Sequence, residues 1–177
     1  MRISKAFFSI TFFLILISNY SSGQKIEKIE VDKFTNEKKI LTDNVTIYGS
    51  AMALYPNVIK CYYRSVDTSA FIIFDGLNTA AGVIGEHDQV IFLLADKSTV
   101  YITSTGLQSY EIVGSSSVYR YHHQYSISQN SLQKLSSQPI TSIRFYYDSK
   151  YHDVDIKEKR SKEFQKLSQL FYNELKK

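Results

Sequence analysis

The side chains of this chain that are able to do chemistry are few, and their spacing matches no metal-binding pattern. Two of the four histidines, His122 and His123, are adjacent, so an extended strand would direct them to opposite faces. His87 and His152 lie far from them and from each other. No pair has the i, i+4 spacing of a helical site or the Cys/His spacing of a zinc site. We therefore predict that the protein holds no metal and no cofactor.

A nucleophile for covalent catalysis is equally hard to find. The many serines lie in no G-x-S-x-G context, and Cys61 is the only cysteine. Cys61 alternates with Ile59 and Tyr63, which predicts a core position. A carboxylate pair assembled across a sheet stays open, because spacing in the sequence does not fix spacing between strands. A hydrolase with an unrecognised site is thus one alternative.

One strand carries an unusual aromatic set, and we predict that it forms the binding site. If residues 118–127 are extended, one face holds Tyr119, Tyr121, His123 and Tyr125. Rings with polar tips suit stacking on a sugar or packing against a protein. The competing interpretation is that this face packs inward with its hydroxyls at the rim. Large aromatic side chains supply much of any β-core, which favours the inward arrangement.

The element that must support such a strand is the segment Gln89 to Thr103. Val90 to Ala95 is apolar throughout, Asp96 to Ser98 is a polar break, and an alternating run follows. This pattern predicts a β-hairpin whose first arm is covered on both faces. Further hairpins are predicted across residues 67–69 and 148–150. A charged hairpin over residues 25–47 is predicted at a sheet edge, where lysines discourage edge-to-edge pairing.

The end of the chain changes to a helical period. Phe164, Leu167, Phe171 and Leu175 recur at spacings of three and four, which predicts an amphipathic helix over about residues 157–176. Ser128 is a candidate N-cap for one more helical segment, over residues 129–135. The predicted fold is mostly β (α+β), an antiparallel sheet or sandwich of about 8–10 strands with the C-terminal helix packed on it.

The first 23 residues are predicted to be a secretory signal peptide. Arg2 and Lys5 precede an apolar run of residues 6–17, and small residues precede Gln24. The run covers only ~18 Å as a helix, too short for a hydrocarbon core of ~30 Å. Residues 24–177 are then a single exported domain without a transmembrane span. With one cysteine, this domain has no internal disulfide and must rely on core burial.

The basic balance of the chain does not indicate a nucleic-acid partner. Loss of Arg2 and Lys5 with the signal peptide lowers the 21 basic residues to 19 against 17 acidic ones, so the net charge falls from +4 to +2. Residues 157–177 hold seven Lys/Arg and three Glu, a surplus of +4, whereas residues 24–156 carry a net charge of −2, so the basic character belongs to the predicted helix. No recognisable module interleaves basic and aromatic residues. We predict no nucleic-acid binding.

The chain resembles small exported proteins of Bacteroidetes-type bacteria that have no assigned function. The resemblance rests on Ser22-Gly23 before Gln24, on the opening 32–35 (DKFT), and on the strand–helix ending from Pro139 to Leu175. It implies a periplasmic or outer-surface location and transfers no functional residue. The C-terminal helix is unlike the C-terminal β-domain signal by which that group exports some proteins.

These observations predict a non-catalytic binding module of the cell envelope, periplasmic or secreted, with a protein or glycan partner. The alternatives are the hydrolase and a carrier of a small apolar ligand. A deep pocket lined by carboxylates or histidine would favour the enzyme, an apolar lumen the carrier, and a shallow aromatic patch the interaction module.

Overall fold

The computed structural model describes residues 23–50, 57–79, 82–114, 118–147 and 150–177. The strands are β1 (Ile26–Val31), β2 (Lys38–Thr42), β3 (Val45–Ser50), β4 (Asn57–Val66), β5 (Ser69–Asn78), β6 (Gln89–Leu94), β7 (Thr99–Ser104), β8 (Tyr110–Ile112), β9 (Tyr119–Ser126), β10 (Ile140–Tyr147) and β11 (Lys150–Asp155). The helices are α1 (Gln129–Ser137) and α2 (Glu158–Leu175). The predicted fold class is confirmed: an antiparallel sheet with the C-terminal helix packed on it.

All eleven strands belong to one sheet with the order β1-β2-β4-β5-β9-β7-β6-β10-β11. β3 pairs with β4 next to β2, and β8 pairs with β9 next to β7. The charged hairpin β1–β2 stands at one edge, as predicted. The two halves of the sheet meet where β7 and β9 pair through Thr103↔Ser126 and Ser104↔Tyr125. This short junction gives the sheet a place to bend.

The sheet curls until its two halves face each other. The ring of Phe74 on β5 lies 5.1 Å from the ring of Phe145 on β10, centroid to centroid. Three strands separate β5 from β10 in the sheet order. In a flat sheet four strand spacings would place them about 19 Å apart. The concave face of this curl is therefore the inside of the domain.

Residues 38–50 form two strands where the sequence predicts one, which is why the strand count exceeds the prediction. Leu41↔Arg64 and Val45↔Cys61 show that both strands pair with β4, with one extra residue between them. This is the geometry of a β-bulge, which bends the bulged strand. The Thr42 hydroxyl accepts a hydrogen bond from the Tyr63 backbone N–H at 2.9 Å and so occupies that donor at the break.

The apolar strand β6 is covered more fully on one face than on the other, contrary to the prediction. Val90, Phe92 and Leu94 are buried, whereas Ile91 and Leu93 are half-buried. Ile91 lies between Tyr101 and Arg144 of the neighbouring strands. Long neighbouring side chains therefore give partial cover on the convex face, where the sequence alone indicates a second packed layer.

The two helices cover part of the concave face. The Ser128 hydroxyl accepts a hydrogen bond from the Ser131 N–H, so the predicted N-cap of α1 is confirmed. On α2, Phe171 stacks on Tyr63 at 4.9 Å, and Phe164 stacks on Phe92 at 5.7 Å. These contacts hold α2 against both halves of the sheet.

The predicted signal peptide lies outside the described residues, apart from Gly23, and so do two residues of the predicted turn 148–150. Within the part of the chain that the structure describes, neither helix has the length and apolar character needed to cross a bilayer.

Candidate functional site

The four predicted site residues lie on the concave face of β9 and become more buried along the strand. Tyr119 and Tyr121 are half-buried, His123 is 7% exposed and Tyr125 is 1% exposed. The set therefore runs from the rim of the curled sheet into its core. This places it along an inner wall, whereas an open platform would be exposed along its whole length.

β9 is held in the sheet by pairing along its full length. β5 pairs with it from Phe71↔Ser126 to Asn78↔Tyr119. On its other edge, β8 pairs with residues 119–121 and β7 with residues 125 and 126. Strand alternation then sends the tyrosine face inward and the remaining residues, Arg120, His122 and Gln124, outward.

A cavity of about 270 Å³ lies beside this face of β9. Three of the four predicted residues, Tyr121, His123 and Tyr125, belong to its wall. Across from them are Phe145 and Tyr147 of β10, contributed by the other half of the curled sheet. The remaining described lining residues are Asn57, Val58, Ile59, Phe74, Asp75, Gly76, Leu77, Asn78, Gly82, Ile84 and His152.

Aromatic rings packed edge to face form much of the wall. Phe74 meets Tyr125 at 5.7 Å and 76°, and it meets Phe145 at 5.1 Å and 84°. In both pairs the edge of one ring approaches the face of the other, an arrangement favoured by the aromatic quadrupole. Such packing is geometrically specific, so the shape of the cavity is fixed by ring contacts between the two halves of the sheet.

His123 is held as a neutral ring of one tautomer. Burial lowers its pKa below the ordinary value of 6.5, so the imidazole is uncharged at neutral pH. Its Nε2 lies 3.2 Å from the Ser109 carbonyl oxygen. Because a carbonyl can only accept, Nε2 carries the proton and Nδ1 is the acceptor. The wall therefore contains a polar but uncharged group at this point.

The rim of the cavity carries a tyrosine cluster. Tyr110 of β8 meets Tyr119 edge to face at 4.8 Å and lies 6.1 Å from Tyr121. Burial and the neighbouring Tyr110 and Tyr119 raise the pKa of Tyr121 to about 12, against the opposing effect of a hydrogen bond with the Gly82 backbone. All three rings are half-buried. They extend the aromatic wall toward solvent.

Tyr125 lies at the inner end of the predicted set, and its hydroxyl group is not satisfied by hydrogen bonds. Its hydroxyl oxygen is buried and has no hydrogen-bond partner among the described residues. Burial raises its pKa, so the phenol is neutral. A buried hydroxyl without a partner is unfavourable relative to the same group in water. Phenylalanine would fill this place without that penalty.

The convex face of the same strands holds a polar groove of about 480 Å³ lined by Asp75, Ser109, Glu111, Arg120 and His122. Asp75 lies opposite His122, and the Arg120 guanidinium is 4.0 Å from the Glu111 carboxylate. Both members of that ion pair are largely exposed, and such pairs stabilise little. The groove has the features of a solvated surface.

The remaining candidate groups are dispersed. Cys61 is fully buried, and burial raises the pKa of its thiol, which disfavours the thiolate. His87 and His152 are exposed. Among the described residues there is no group of three or more His, Cys, Asp or Glu side chains able to hold a metal.

The sequence alone did not indicate the residues from outside β9. Phe145 and Tyr147 share one face of β10 with the buried Ile143, and this alternation was the available signal. That β10 stands opposite β9 follows from the curl of the sheet. No family model, curated protein or solved structure matches this chain.

Proposed function

We propose that this protein is an exported, non-catalytic binding module that holds a small, mostly apolar ligand in the cavity beside β9. The observation that carries the proposal is the lining itself. Aromatic residues from two halves of the sheet border a partly open cavity of about 270 Å³, with a few polar side chains among them. Small-molecule sites have this composition, a mostly apolar wall with a few placed polar groups.

The inward orientation of the tyrosine face of β9 favours a small ligand over a protein or glycan partner. A partner that binds a flat platform needs exposed rings, whereas His123 and Tyr125 are buried. At the rim, the half-buried Tyr110–Tyr119–Tyr121 cluster leaves part of its rings open to a larger partner. The predicted binding role of Tyr119, Tyr121, His123 and Tyr125 is retained here, with Tyr121, His123 and Tyr125 assigned to the ligand cavity.

The hydrolase alternative has less support. A general base needs a nucleophile or a water within hydrogen-bond reach. The lining does include His123, His152 and Asp75, but Asp75 lies opposite the outward-facing His122 and His152 is exposed. The one thiol of the chain, Cys61, is buried with a raised pKa, so it offers His123 no ready thiolate partner. These placements suit structural roles, and they support the non-catalytic assignment.

Binding to the cavity is testable with naphthalene, whose size suits the volume. We expect the mature protein to bind it saturably in ligand-observed NMR or calorimetric titrations. Ile59→Phe places a larger side chain in the cavity wall and should weaken binding at least tenfold. The control is Ile91→Phe, the same change at another half-buried strand position, on the convex face. Failure of the wild-type protein to bind, or equal binding by both variants, would exclude the cavity as the site.

Export is a separate part of the proposal, supported by the signal-like first 23 residues. We expect the mature chain to begin at Gln24. Mass spectrometry of the protein purified from its native host should show the loss of residues 1–23, and the protein should be found in the periplasm or outside the cell. A full-length cytoplasmic protein as the only species would contradict export while leaving the cavity proposal intact.

A further inference from the structure

β1 presents one long edge of the sheet to solvent. Among the strands that the structure describes, it stands first in the sheet order and pairs with β2 alone. Its residues 27–31 are all exposed. The outer side of such a strand is a row of backbone N–H and C=O groups to which a further strand is able to bind. The cavity lies elsewhere, since none of its described lining residues belongs to β1.

The hairpin geometry identifies the residues whose backbone groups point away from β2. The Asp32 N–H donates to the Glu37 carbonyl oxygen at 3.0 Å, and the Asp32 carbonyl oxygen accepts from the Asn36 N–H at 2.8 Å. The backbone groups of Asp32 are therefore directed into the hairpin. Because these groups alternate sides along a strand, those of Ile29 and Val31 are directed outward. An added strand must pair with these two residues.

The same two residues carry apolar side chains that α2 leaves exposed. Ile29 lies opposite the buried Ile40, which places it on the concave face of the sheet. Val31, two residues further along β1, shares that face. α2 ends beside β2, where Lys38 Nζ lies 3.3 Å from the Glu174 carboxylate. Beyond this contact Ile29 is 47% exposed and Val31 60% exposed, so they form an apolar strip at the edge.

The lysines of the hairpin do not protect this edge as isolated charges would. Lysines at an edge normally discourage pairing because a neighbouring strand would have to approach an unbalanced charge. Here Lys28 Nζ lies 2.7 Å from the Glu30 carboxylate. Lys39 of β2 lies directly opposite Glu30 on the same face. The convex side of the hairpin therefore carries alternating charges that suit a strand of the same alternating pattern.

We infer that two copies of this protein pair through β1, antiparallel, with Ile29 of each copy opposite Val31 of the other. Each of these pairs exchanges two N–H···O=C bonds, so the outward groups of both residues are used on both strands. Pairing Ile29 with its own counterpart, or Val31 with its own, would leave the two apolar side chains less completely matched. The occupant of the edge is a second copy of this chain, related by a two-fold axis that closes the assembly as a dimer.

The register places complementary side chains on both faces of the joined sheet. On the concave face, Ile29 and Val31 of the two copies form one continuous apolar strip between the ends of the two α2 helices. On the convex face, Lys28 lies opposite Asp32 of the other copy. The two copies of Glu30 meet at the axis, where each has Lys28 beside it and Lys39 across the hairpin. Opposite charges in such positions stabilise strand pairing.

The first test measures the mass of the mature chain, residues 24–177, by size-exclusion chromatography with light scattering. A single pair of edge strands is a small interface, so we expect reversible dimerisation between micromolar and millimolar concentration. Val31→Lys should raise the concentration of half-dimerisation about tenfold or more, because it places a charge from each copy in the apolar strip. The matched control is Leu107→Lys, at a side chain that is 77% exposed outside β1, and it should leave that concentration unchanged.

A cross-link tests the register itself. Glu30 of the two copies forms a pair without backbone hydrogen bonds, whose Cα atoms lie about 4.5 Å apart, within the range of about 4.4–6.8 Å that a disulfide spans. Glu30→Cys should therefore form a disulfide-linked dimer when oxidised glutathione is added. Lys39→Cys is the control on the same face of β2, where three strand spacings separate the two thiols by about 14 Å. The native Cys61 is buried and does not compete.

Dimerisation of the wild type, its loss in Val31→Lys and selective cross-linking of Glu30→Cys are the results expected. A protein that stays monomeric at every concentration would overturn the inference and leave the edge to a strand of another protein. A dimer that survives Val31→Lys, or that cross-links through Lys39→Cys as readily as through Glu30→Cys, would place the interface elsewhere. Open polymers would show that β1 pairs with a different edge of the next copy, and the two-fold arrangement would be wrong.

Discussion

Phe171→Asp should abolish stable folding. The Phe171 side chain is fully buried and stacks on Tyr63 at 4.9 Å. Truncating such a ring typically costs ~3–5 kcal/mol, and an unpaired carboxylate in the same place costs more. The stability of a domain of this size is only about 5–15 kcal/mol. We expect the variant to aggregate or to be digested rapidly in limited proteolysis.

Phe34→Asp is the matched control, because Phe34 is 83% exposed in the turn after β1. The same chemical change there should leave the thermal midpoint within a few degrees of wild type, since surface substitutions usually act within ±0.5 kcal/mol. If Phe171→Asp were as stable as Phe34→Asp, α2 would be a detachable arm. The role of the helix would then be partner binding.

The helix could be predicted because its signal is local and repetitive. Phe164, Leu167 and Phe171 mark one face by their spacing, and all three are fully buried. The cap of α1 was equally readable, since Ser128 acts on an amide three residues away. The hairpin turns could also be predicted from local sequence. Lys97 and Asp67 take positive φ values at the turns that the sequence predicts.

The bend of the sheet had no such local signal. The two halves of the sheet meet at the short pairing of β7 with β9, and the extra residue between β2 and β3 adds a separate local irregularity beside β4. Both depend on the pairing between different strands, which the apolar pattern within a single strand does not show. The half-covered convex face of β6 was mispredicted for a related reason: an apolar run does not show which neighbours lie beside it.

One part of the candidate site could be predicted from local sequence, and another part could not. The tyrosine face of β9 was predictable because alternation within one strand fixes it. Its partners Phe74, Ile84 and Phe145 come from three other segments. Phe74 belongs to the neighbouring strand β5, whereas Phe145 meets this wall only because the sheet is curled, so its contribution required the structure. The unpartnered Tyr125 hydroxyl is likewise a property of the assembled wall and has no sequence signature.

Alanine substitutions along β9 should reproduce its gradient of burial. We expect Tyr125→Ala to cost ~3–5 kcal/mol, because it removes a buried ring that packs on Phe74. For a domain of this size that lowers the thermal midpoint by about 10 °C or more. Tyr121→Ala, at a half-buried position, should cost ~1–2 kcal/mol. Arg120→Ala, on the exposed convex face, should stay within ~0.5 kcal/mol.

The decisive comparison in this series is between stability and naphthalene binding. Tyr121 belongs to the cavity wall near the rim. In titrations done well below the melting temperature, where the variant is folded, Tyr121→Ala should weaken naphthalene binding. The loss of affinity should be larger than the modest loss of stability accounts for. Arg120→Ala should leave both quantities unchanged, because its side chain lies on the opposite face of the same strand. If Arg120→Ala weakened binding and Tyr121→Ala did not, the polar groove on the convex face would be the functional surface. A Tyr125→Ala variant as stable as wild type would contradict the buried position of that ring. Tyr125 would then no longer be assigned to the inner wall of the site.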